Sequence, residues 1–167
     1  MIYRHPLVFK DENIETSEEV LESWEELKKK EKEYSTISEE IEGIAKTLPA
    51  LTKAHKVQKK VAKIGFDFED VNEAATKVEE ELKEVLEVYK TNKRENIINE
   101  VGDLIFACVN VSRLLSIDEE EALNTSIKKF SKRFSYIEKN ILNSGKKMEE
   151  VSLDDMNKLW EEAKKFD

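Results

Sequence analysis

The chain has 167 residues, of which 39% are hydrophobic and 39% charged, with only 4 Gly and 2 Pro. This composition is typical of long helices with solvated faces and argues against a β-rich fold. The formal net charge of −9 argues against a nucleic-acid polymer as partner, because binding a phosphate backbone requires a basic surface. The net charge does not exclude small phosphate ligands, which could bind where cations cluster locally.

Targeting signals are not evident in the sequence. The opening "MIYRHPLVFK" has no apolar stretch after its basic residue, so we expect no signal peptide. The longest apolar run, around 104–111, is well short of the ~20 residues that a membrane helix needs. Cys108, the single cysteine, lies in that run and is predicted to be a core residue. A cytoplasmic protein without a membrane partner is the expectation.

The first part of the chain is predicted to be an extension. Thr16 and Glu19 form a capping-box pattern that opens a charged helix over about 17–32. The polar stretch 28–43 is typical of a mobile connector. Residues 1–47 are therefore predicted to be an N-terminal extension or linker, and 48–167 the compact domain.

The compact domain is predicted to be an all-α helical bundle. Apolar residues recur at helical spacing, and Pro49, Asp70, Asp118 and Ser152 are placed to start helices, while Gly65 is placed to end one. The predicted helices cover about 48–64, 71–89, 93–115, 119–140 and 153–165.

The predicted helix at 93–115 carries polar residues in an apolar setting. On a helical wheel Glu100, Asp103 and Asn110 share one wedge, and most of the remaining circumference is apolar. A helix that is hydrophobic nearly all round is expected to be buried. These polar residues either form an ordinary solvent-exposed stripe or place two carboxylates in a confined site. In a confined site the carboxylates would need bound cations to offset their charge.

The preceding helix has a second acidic pair. Glu81 lies inside its apolar arc, with Glu84 and Lys77 at the adjacent edge. A short connection makes the two helices antiparallel neighbours, so the acidic pairs can meet. Carboxylates that converge repel one another unless divalent cations bind them. Oxygen-only ligands suit Mg²⁺ or Mn²⁺, whereas zinc would require His or Cys; Mg²⁺ in turn suggests a nucleotide phosphate substrate.

Cations that could face a phosphate occur in the 119–140 helix, where Lys129 and Arg133 lie one turn apart beside an apolar face. They are either phosphate contacts or solvated charges. Trp160, in the last helix, could stack on a base or serve as a hydrophobic anchor.

Several segments resemble the MazG family of the all-α nucleoside triphosphate pyrophosphohydrolase superfamily. The paired acidic motifs are "KVEEELKEV" (77–85) and "NEVGDLIFACVNVSR" (99–113), and the resemblance extends to "LPALTKAHKVQKKVAKIGFDF", "KKFSKRFSYIE" and "MNKLWEEAKK". It covers nearly the whole chain.

This resemblance implies Mg²⁺-dependent hydrolysis of NTP to NMP and pyrophosphate, with Mn²⁺ as a possible substitute, by in-line attack of a metal-activated water on the α-phosphorus. It also implies a homodimer or larger homo-oligomer. By motif matching the metal ligands and catalytic carboxylates are Glu81, Glu84, Glu100 and Asp103, with Glu80 as a helper at the rim. The substrate-binding residues implied are Lys77, Asn110, Lys129, Arg133 and Trp160.

Two further expectations concern the extent of the chain and its activity. Bacterial MazG proteins commonly have two such modules, and "YRHPLVF" looks like the end of the first, so the chain resembles the C-terminal module with its connector. Two alternative functions stay open: a narrower dUTP-type hydrolase of the same superfamily, and a non-catalytic helical module that binds a nucleotide or a protein.

Overall fold

The computed structural model describes residues 34–91 and 93–166, which form α-helices, short 3₁₀ turns and loops, with no strand among them. The all-α prediction is confirmed for these residues. The predicted charged helix at 17–32 lies outside them. The chain divides into two compact units, Met1–Glu69 and Asp70–Asp167. The proposed start of a domain at residue 48 stays a prediction.

The described part of the first unit contains helices α1 (Ile37–Glu42) and α2 (Ala50–Ala62). The sequence did not predict α1, which lies in the stretch taken for a connector. A local capping box starts it, because Thr36 Oγ1 accepts a hydrogen bond from Glu39 N at 3.2 Å while Glu39 Oε2 accepts one from Thr36 N at 3.1 Å. The second helix ends at Ala62, slightly before the predicted end, and Gly65 follows in the turn with a positive φ of 85° that suits a residue without a Cβ.

The second unit is built from four α-helices and brief 3₁₀ turns. The helices are α3 (Val71–Val88), α4 (Arg94–Leu114), α5 (Glu119–Asn143) and α6 (Leu153–Ala163). Three of them start at predicted caps, where the side chains of Asp70, Asp118 and Ser152 accept hydrogen bonds from backbone N–H groups three residues on. These contacts join neighbours in sequence, which is why the starts could be predicted.

Two helical hairpins make up this second unit. Helix α3 packs along α4, and α5 packs along α6, while the interface between α4 and α5 is much smaller. No helix of the described residues is both long and apolar enough to cross a membrane.

Few apolar side chains are buried among the residues that the structure describes. The buried apolar residues of the second unit include Ala74, Ala107 and Ile137, whereas Ile105 and Phe130 are 48% and 58% exposed. Large apolar side chains are exposed on both hairpins, so each of these helices buries only part of its apolar surface.

Two expectations about α4 are therefore wrong for the single chain. The helix was predicted to be buried nearly all round, but its buried residues are Ala107 and Val109 only. Cys108 was predicted to be a core residue and is exposed. Successive residues of a helix point about 100° apart, so Cys108 turns away from the stripe that packs on α3.

Candidate metal centre

Three carboxylates from two helices converge in the first hairpin. Glu81 and Glu84 come from α3, and Glu100 comes from α4. One oxygen from each lies within 4.8 Å of the others. Glu81 is buried, with 6% of its surface exposed, and the other two are half-buried. The helical period places Glu81 and Glu84 on one face of α3, and the antiparallel packing brings Glu100 against them.

Asp103, the fourth predicted ligand, stands apart from this carboxylate cluster. It follows Glu100 by three residues on α4 and is exposed. Among the described residues, the group of acidic side chains close enough to share an ion contains Glu81, Glu84 and Glu100 without it.

Lys77 supplies positive charge to the cluster. Its Nζ lies 2.6 Å from Glu81 Oε1 and 2.8 Å from Glu80 Oε1. The hydrogen bonds to Glu80 and Glu81 raise the pKa of Lys77 above its ordinary value, so the side chain is charged at any physiological pH. Glu80 is thus located at the rim, where its contact in the structure is with this lysine.

Glu84 shows that negative charge is crowded here. Partial desolvation raises the pKa of Glu84 above its ordinary value, and the charge of Glu81, a hydrogen bond with Glu81 and the charge of Glu100 add to the effect. Lys77 offsets only part of it. A site that holds a proton more tightly because of its neighbours also attracts other cations.

The predicted aromatic and basic residues of the second hairpin meet one another. The guanidinium carbon of Arg133, on α5, lies over the ring of Trp160, on α6, and Phe130 packs against the same indole. Lys129 is exposed one turn before Arg133. Arg133, Phe130 and Trp160 thus form one group on the second hairpin.

Asn110 has a partner that the sequence analysis missed. Arg113 Nη2 donates a hydrogen bond to Asn110 Oδ1 at 3.0 Å. The two residues are three apart on α4, a spacing that places side chains on the same helix face. The contact could have been predicted from this spacing.

Comparison with known proteins identifies the family. Residues 69–137 match the family model described as the MazG nucleotide pyrophosphohydrolase domain. These residues belong to the MazG family. The match spans α3, α4 and most of α5, and so includes the carboxylate cluster and Arg133, while Trp160 lies beyond it. The family resemblance predicted from the acidic motifs is confirmed.

Curated relatives align with nearly the whole chain. A nucleoside triphosphate pyrophosphohydrolase of Escherichia coli K12 is 36% identical over 166 residues, which is 97% of this chain and 62% of the relative. The nucleoside triphosphate pyrophosphohydrolase/pyrophosphatase MazG of Thermotoga maritima is 37% identical over 98% of this chain and 61% of its own length. The uncharacterized protein YabN of Bacillus subtilis is 48% identical over 98% of this chain and 34% of its own length. The chain thus spans less than two thirds of each of these relatives.

Proposed function

We propose that the chain is a divalent-metal-dependent nucleoside triphosphate pyrophosphohydrolase that converts NTP and water to NMP and diphosphate. The observation that carries the proposal is the convergence of Glu81, Glu84 and Glu100 within a MazG-family domain. The names of the relatives from Escherichia coli and Thermotoga maritima support the same reaction.

The donor set fits Mg²⁺, with Mn²⁺ as a substitute. All three converging side chains offer carboxylate oxygen, the donor that these hard cations prefer, and the cluster contains neither His nor Cys. Glu81, Glu84 and Glu100 would hold the ion. Asp103, one turn after Glu100, is the proposed fourth ligand. When bound, the ion would supply Lewis acidity toward phosphate oxygens and acidify water.

The reaction forms a bond between the water oxygen and the α-phosphorus and breaks the bond from that phosphorus to the bridging oxygen, so that diphosphate leaves. The residues of the chain neutralise and orient the substrate. Lys77, already charged at the rim of the cluster, is placed to contact a phosphate. Glu80 holds this lysine through an ion pair.

The second hairpin is the proposed nucleotide-binding element. Lys129 and Arg133 would neutralise phosphate charge, and the indole of Trp160 offers a ring on which a base can stack. Asn110, on α4 and bonded to Arg113, is a further proposed contact to the nucleotide. Because Lys129, Arg133 and Trp160 stand on a different hairpin from the carboxylates, the substrate would link the two groups.

We further propose that the protein is a homodimer or a larger homo-oligomer. Large apolar side chains are exposed on both hairpins, among them Leu82, Leu86, Ile105, Phe130 and Phe134. Uncovered apolar surface of this kind favours association, and a second copy of the chain would cover it. A cytoplasmic location is also proposed, since it would keep the exposed Cys108 reduced.

The decisive experiment is a pyrophosphate-release assay with Mg²⁺ and a panel of NTPs and dNTPs. Glu84→Gln should lower the rate about 100-fold or more, because it removes a proposed ligand. Glu87→Gln, an exposed position on the same helix, is the matched control and should keep the wild-type rate. Activity confined to dUTP would favour the narrower hydrolase. Nucleotide binding without turnover would favour a non-catalytic module, and unchanged activity of Glu84→Gln would refute the assignment.

A further inference from the structure

Lys77 occupies a position for which a metal ion would compete. Its Nζ bonds inward to Glu81, whose side chain is 7% exposed, and outward to Glu80, whose side chain is 56% exposed. One ammonium group therefore joins the buried member of the carboxylate cluster to a glutamate in contact with solvent.

The charges at the cluster favour an exchange of cations. Glu81, Glu84 and Glu100 carry three formal negative charges when ionised, and Lys77 contributes one positive charge. A divalent ion brings twice that charge and can bind oxygens of all three carboxylates at once, whereas Lys77 forms an ion pair with Glu81 alone among them. The bond to solvent-exposed Glu80 gives the ammonium a second partner outside the carboxylate cluster.

We propose that Lys77 is an exchangeable counter-ion of the metal centre. In the structure its ammonium bonds to Glu81. A divalent cation displaces it from that carboxylate, and the long flexible lysine side chain moves outward. Glu80 then acts as a positioning residue that keeps Lys77 at the rim, available to a substrate phosphate. This inference rests on the proposed function, because it takes its metal ligands from there.

The exchange predicts that removing the lysine charge strengthens metal binding. Mn²⁺ affinity can be measured on the intact protein by electron paramagnetic resonance, without substrate. We expect Lys77→Met to lower the Mn²⁺ dissociation constant about tenfold, because a unit charge within a few ångströms no longer competes. Lys83→Met makes the same charge change at an exposed position of α3 and should alter the Mn²⁺ dissociation constant less than about twofold. Lys77→Arg keeps the charge and should have a Mn²⁺ dissociation constant near that of the wild type.

The outcomes separate the two proposals. Equal Mn²⁺ affinities for Lys77→Met and Lys83→Met, with binding to the wild type intact, would overturn the exchange and leave the proposed metal centre standing. A wild-type protein that does not bind Mn²⁺ would overturn both. Loss of wild-type binding in Glu84→Gln, together with tighter binding in Lys77→Met, would support both.

A second measurement needs no change at Lys77. The lysine ¹³Cε and ammonium resonances of the wild type can be followed during titration with diamagnetic Mg²⁺. We expect the Lys77 signal of the wild type to shift when Mg²⁺ saturates the protein. In Glu80→Gln saturated with Mg²⁺, the Lys77 ammonium should exchange its protons as rapidly as a solvated ammonium does. A Lys77 signal that stays fixed while the Glu84 carboxyl signal moves would overturn the exchange.

Discussion

Arg133 and Trp160, from neighbouring helices of the second hairpin, form a cation–π pair in which the guanidinium carbon lies 5.2 Å from the ring centroid. The pair joins the charge proposed to bind phosphate to an aromatic ring, and Phe130 supports the ring from α5, with its centroid 5.2 Å from that of the indole. A change at the tryptophan should therefore affect nucleotide binding through both partners.

Trp160→Ala is expected to raise the KM for NTP about tenfold with a smaller change in kcat, because it removes a stacking surface and the support of Arg133. Steady-state kinetics of pyrophosphate release provide the measurement. Trp160→Phe retains an aromatic ring and should recover most of the affinity. An unchanged KM in Trp160→Ala would show that the ring serves packing alone.

The raised pKa of Glu84 predicts how the stability of the metal-free protein depends on pH. A carboxyl group that binds its proton more tightly in the folded state favours folding below the unfolded-state pKa, and that contribution is lost as the pH rises through the raised value. In EDTA, wild type should thus lose stability relative to Glu84→Gln as the pH rises above the ordinary value of 4.5.

Thermal melts of the two proteins from pH 4 upward test this prediction. At neutral pH Glu84→Gln should have the higher Tm in EDTA, since it lacks the repelling charge. Added Mg²⁺ should raise the Tm of wild type and leave the variant unaffected, because a ligand stabilises only the form that binds it. If Tm depended on pH in the same way for both proteins, the raised pKa of Glu84 in the carboxylate cluster would be contradicted.

The cap of α3 offers a test of local stability. Asp70 accepts a hydrogen bond from Glu73 N at 2.9 Å, and this bond together with that from the Asn72 side chain holds the pKa of Asp70 below its ordinary value. Asp70→Ala should lower the Tm by about 5 °C at neutral pH, and the difference should shrink as acid protonates the wild-type carboxylate. Asp70→Asn keeps an accepting oxygen and should restore most of the Tm. Equal melting of all three proteins would contradict the role of the cap.

The exposed apolar stripe of α4 is expected to lie in the interface between copies. Ile105→Glu should shift the protein toward the monomer in light scattering coupled to size-exclusion chromatography, because a charge at a buried interface is costly. Leu153→Glu is the matched control, since Leu153 is 72% exposed on α6 and lies outside that stripe. The same mass for Ile105→Glu and wild type would place the interface elsewhere.

The sequence by itself determined the helices of the second unit and α2, but not α1. Asp70, Asp118 and Ser152 mark helix starts because each bonds a backbone N–H three residues away, and Gly65 marks an end by its backbone conformation. These are local interactions, readable without knowledge of the rest of the fold. The helical period also placed Glu81 inside the apolar arc of α3, where the structure has it buried.

The tertiary structure decided how these elements meet. The register between α3 and α4 brings Glu100 to the cluster and leaves Asp103 exposed, although both lie in one wedge of α4. Packing along single stripes left Cys108 exposed against expectation. Such contacts depend on the shapes of both packed surfaces, which the helical period of one segment cannot supply.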